Sequence, residues 1–73
     1  MKPFNNTIIK SATIEGITFS QNEAGQFKVE RDGIEITEGR MEIIRAAARK
    51  MGMKIEGQVG MVLVSKIIKV ANL

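Results

Sequence analysis

Phe27-Lys28-Val29-Glu30-Arg31-Asp32-Gly33-Ile34-Glu35-Ile36 carries the sharpest structural signal in the chain. Phe27, Val29 and Arg31 fall on one side of an extended segment, Lys28 and Glu30 fall on the other, and a second alternating run starts at Ile34. Asp32-Gly33 separates the runs by two residues, which predicts a type I′ hairpin because such a turn needs positive φ at both central positions. Register follows from the turn. Arg31 opposes Ile34, Glu30 opposes Glu35 and Val29 opposes Ile36, so Phe27, Val29, Ile34 and Ile36 share an apolar face. The facing Glu30 and Glu35 repel, and they ask for a nearby base or a basic partner.

Downstream, the apolar period changes from two to that of a helix, with Met41, Ile44, Ala47 or Ala48, and Met51 recurring three or four residues apart. A helix over about 38–51 is predicted, with Thr37 as its cap and Gly52 as its stop. Glu42, Arg45 and Arg49 line its solvent side, and the three alanines Ala46, Ala47 and Ala48 keep it thin enough to lie close on a sheet. Met53 and Ile55 suggest a short strand, and 56–60 a flexible turn. The last segment, 59–70, reads as one long strand or as a hairpin broken near Ser65-Lys66. Val59, Met61 and Leu63 take one parity there and Val62 and Val64 the other, so both faces want cover. A second copy of the chain, as a homodimer, or the curled N-terminal segment would supply it.

Upstream of the hairpin, 1–6 is a lead, and strands are expected at 7–10 and 12–20. Gly16 sits where the apolar parity changes and marks a bulge or a tight turn. A turn at 21–25 leads to strands at 26–31 and 34–37. The expected architecture is α+β: a single domain over 1–73, with a small antiparallel sheet and one helix packed on one face.

With 73 residues there is room for one core, and with neither Cys nor His neither a disulfide nor an ordinary zinc site can brace it. The apolar run 61–64 is far short of the roughly 20 residues of a membrane span, so a soluble, cytoplasmic chain without a membrane partner is expected. Catalytic groups are scarce. Ser11, Ser20 and Ser65 have no histidine base, and adjacent strand residues such as Ser65 and Lys66 point apart. Glu30 and Glu35 would stand exposed on a hairpin with nothing to separate their acidities, and the acids around Asp32 lack calcium-loop spacing. Gly57-Gln58-Val59-Gly60 has the GxxG form of an RNA-gripping loop, but without a base between its glycines, and with an apolar strand after it, it reads as a flexible turn. No enzyme activity and no cofactor are expected.

Charge is the remaining lead. The balance is only +3, yet Glu30, Asp32, Glu35, Glu38 and Glu42 crowd one stretch while Arg45, Arg49, Lys50 and Lys54 follow without an acid. Such polarity orients an encounter. A protein or nucleoprotein partner is expected, met by Arg45, Arg49, Lys50 and Lys54 on one side and by Glu30, Glu35 and Glu42 on the other. The alternative is a regulatory protein that binds nucleic acid directly through the basic helix face, where only Phe4 is free to stack on a base.

Three stretches add a resemblance: Gly25-Gln26-Phe27-Lys28-Val29-Glu30-Arg31-Asp32-Gly33, Ala46-Ala47-Ala48-Arg49-Lys50-Met51 and Val62-Leu63-Val64. In their order of hairpin, alanine-rich helix and late apolar strand, the chain resembles small phage-encoded anti-CRISPR proteins. The resemblance implies a role, that of a compact plug occupying and inhibiting a bacterial defence complex, and it carries no residue across.

Overall fold

The computed structural model describes residues 7–73, so the expected lead 1–6 and Phe4 lie outside the described residues. Four strands, β1 (Ile8–Ile14), β2 (Ile17–Asn22), β3 (Phe27–Arg31) and β4 (Ile34–Glu35), form one antiparallel sheet in the order β1-β2-β3-β4. Two helices follow, α1 (Arg40–Lys50) and α2 (Gly60–Ala71).

The central hairpin has the register its turn chemistry dictates. Asp32 and Gly33 adopt φ of 54° and 80°, Glu30 pairs with Glu35, Arg31 pairs with Ile34, and the Ile36 N–H donates to the Val29 carbonyl at 2.8 Å. β4 is shorter than the expected 34–37. The expected strand over 12–20 is two strands, because Glu15 and Gly16 form a second tight turn with φ of 50° and 82°. Gly16 thus resolves the parity change by reversing the chain.

Alternation then sorts the sheet. Ile17, Phe19, Phe27 and Val29 face the helices, whereas Thr13, Thr18, Lys28, Glu30 and Glu35 face away. The outward side is polar, with the Thr13 and Thr18 hydroxyls hydrogen-bonded at 2.9 Å.

The helix predicted over 38–51 starts later, at Arg40. Gly39, in the left-handed region with φ of 71°, holds the cap position, and no side chain caps the helix, so Thr37 does not act there. Its C-terminus closes on Gly52: the Gly52 N–H reaches the Arg49 carbonyl and the Met53 N–H the Ala48 carbonyl, both at 2.9 Å, the two bonds of a Schellman motif. Met53 and Ile55 pack against the core from an irregular connection and form no strand.

The main correction concerns 59–70. It is no strand; α2 occupies it, and the fold has two helices on the sheet where one was expected. Leu63 and Val64, then Ile67 and Ile68, recur four residues apart and are all buried, which one face of a helix permits and one face of a strand does not. Val and Ile cost a helix only a few tenths of a kcal/mol each in propensity, whereas full burial of such a side chain contributes about 1.5 to 3 kcal/mol. Burial decides. α2 lies on β1 and β2 with α1 packed beside it, and Phe19, Val29, Ile44, Ala48 and the four buried residues of α2 make one cluster. The two-faced strand that motivated a homodimer is therefore absent, since one face of α2 buries Leu63, Val64, Ile67 and Ile68. No helix among the described residues is long and apolar enough to cross a membrane.

Candidate macromolecule-binding surface

Both helices pack on the same side of the sheet, so their outward sides make one solvent-facing surface. Its charge is lopsided. The helices carry Arg40, Arg45, Arg49, Lys50, Lys66 and Lys69 against the single acid Glu42. Outside the helices the described residues run the other way, seven acids to four bases. A chain of modest net charge is thus a basic helical layer on an acidic body.

The expected site residues divide between these layers. On α1, Arg45 Nη1 donates to Glu42 Oε1 at 3.2 Å, while Arg49 one turn further on is exposed. Lys50 reaches back to the Glu15 carboxylate in the β1–β2 turn. Both ion pairs are open to solvent and so contribute at most about 1 kcal/mol each; their effect is on where charge is held. Lys54 stands exposed in the connection after α1, and neither it nor Arg49 has an ion-pair partner among the described residues. Glu30 and Glu35 are cross-strand partners on the sheet side away from the helices, so the sheet separates them from the bases.

Lys66 and Lys69 were not among the expected binding residues because a strand over 59–70 scatters them. Taken as two helical steps, Leu63-Val64 and Ile67-Ile68 would have turned both lysines outward. Arg40 also belongs to this layer, its guanidinium 4.6 Å from the centre of the Phe27 ring. Phe19 is buried and Phe27 half-buried beneath Arg40, so neither offers a free face for stacking a base.

Two motifs change meaning. Gly57-Gln58-Val59-Gly60 is followed by a helix, contrary to expectation, yet Gly60 is used for packing: a Cβ there would sit 2.8 Å from Met41 Sδ and 3.2 Å from Phe27 Cζ. Ser65 lies on α2, where its hydroxyl accepts a hydrogen bond from Lys10 Nζ at 3.1 Å on the protein surface. No group of three acids suited to a metal ion occurs among the described residues. No family model, curated protein or solved structure significantly matches the chain.

Proposed function

We propose that this chain is a non-catalytic binding protein whose helical layer docks on an acidic surface of a protein or nucleoprotein complex; inhibition of a bacterial defence complex by occupying its surface is one use such a module would serve. The observation that carries the reading is the gathering of six bases and one acid over α1 and α2. Complementary charge steers an encounter and sets orientation, which suits a small chain with little area to offer.

A protein surface is favoured over bare nucleic acid by what tempers the bases. Glu42 holds Arg45, Glu15 holds Lys50, and no aromatic face is free to stack on a base among the described residues. Two of the six helix bases are thus held by acids, which reduces the footprint for phosphate contacts. In a capture experiment from bacterial lysate near 150 mM salt, the immobilised chain is expected to retain a protein partner after nuclease treatment, and the Arg49→Glu/Lys66→Glu variant to lose it. Micromolar binding of random-sequence DNA or RNA by the purified chain at the same salt would replace this reading with direct nucleic-acid binding.

A further inference from the structure

Beside the helical layer, where the β1–β2 turn approaches the last turns of α1, lies an open cleft of about 200 Å³. Ile14, Ile17 and Phe19 form its sheet side and Ile43 and Ala47 its helix side. Small-molecule sites usually run from about 300 to 1,000 Å³, so this space suits one side chain of leucine or phenylalanine size.

Three charged groups stand at its rim, Glu15, Lys50 and Arg31. Glu15 and Lys50 neutralise each other across the mouth. Arg31 is exposed and has no ion-pair partner among the described residues, so the rim holds one uncompensated cation. Ile34, its cross-strand neighbour, is 72% exposed and offers apolar surface beside Arg31 on the adjoining strand.

We propose that this cleft is an anchor site for a single apolar side chain of a protein partner, read together with an adjacent carboxylate that pairs with Arg31. The occupant is set by the cleft's size, its apolar floor and the charge complementarity of its rim. The inference rests on the protein-binding reading and names the chemistry of the partner's contact segment: an apolar residue flanked by an acid. An anchor side chain that excludes water from such a cleft on docking is where a small interface concentrates its affinity.

The test uses the full chain with labelled isoleucine and alanine methyls, titrated with 3-phenylpropionate and with its neutral counterpart 3-phenylpropanol. Shifts are expected at Ile14, Ile17, Ile43 and Ala47, with the carboxylate binding about three- to fivefold more tightly than the alcohol, the size of a solvent-exposed ion pair. Arg31→Gln should abolish that preference while leaving the alcohol's affinity unchanged. Ala47→Leu, which fills the cleft, should weaken both probes about tenfold or more; should it fail to fold, the exposed Arg31→Gln variant still decides. Equal binding of the two probes, shifts centred elsewhere, or no shift up to about 10 mM would overturn the proposal. These failures leave the helical-layer reading standing, because its charge reversals lie outside the cleft. Conversely, nucleic acid as the true partner would sink that reading without moving the probe titration.

Discussion

Ile67→Ala is expected to destabilise the domain by about 2 to 5 kcal/mol. Ile67 is fully buried in α2 within the one hydrophobic cluster, and its loss removes the transfer free energy of its methyl and methylene groups and leaves a cavity. For a chain of 73 residues total stability is about 4 to 11 kcal/mol, so this substitution takes a large share of it. The neighbours give the result its meaning. Ile68→Ala should cost a similar amount, whereas Lys66→Ala should move the urea midpoint by no more than about 0.5 kcal/mol. Two successive costly positions beside a neutral one describe a helix lying on a core. A strand would bury only one of Ile67 and Ile68 on the core side, and a free Ile68→Ala substitution would contradict α2.

Ile44→Ala should cost about 2 to 5 kcal/mol by the same route. Ile44 is the fully buried large side chain of α1, and its companion one turn on, Ala48, is too small to fill the space it would vacate. Arg49→Ala on the outward side of the same helix should be nearly neutral. If chemical denaturation shows Ile44→Ala with an unchanged midpoint, α1 is rotated from the orientation described, and Arg45 and Arg49 cannot share the outer surface.

Local chemistry was the legible part of this fold. Asp32-Gly33 specifies its turn and hence the pairing of Glu30 with Glu35, because two adjacent residues suffice to favour positive φ. α1 was legible from the spacing of Met41, Ile44, Ala48 and Met51, but its start was not, since Gly39 enters in a left-handed conformation where Thr37 offered the more familiar cap. α2 was misread because its valines and isoleucines favour strands by propensity, and the signal that outweighed them was the four-residue recurrence of adjacent apolar pairs. That error propagated. It hid Lys66 and Lys69 from the basic surface, and it gave the segment two apolar strand faces where the structure has one buried helix face. The Lys50–Glu15 pair and the cleft beside it join segments 35 residues apart, and no local pattern announces them.

The claim that both helices form one binding surface is tested most directly by measuring the affinity of the captured partner for two double variants whose charge changes are equal in size and opposite in sign. Lys66→Glu/Lys69→Glu reverses charge on α2, and Glu30→Lys/Glu35→Lys reverses it on the far side of the sheet. The predicted result is a loss of about tenfold or more for the α2 variant, with thermal stability unchanged, and less than about a twofold change for the sheet variant. An α2 variant that binds as well as the parent chain, or a larger loss from the sheet variant, would contradict the account.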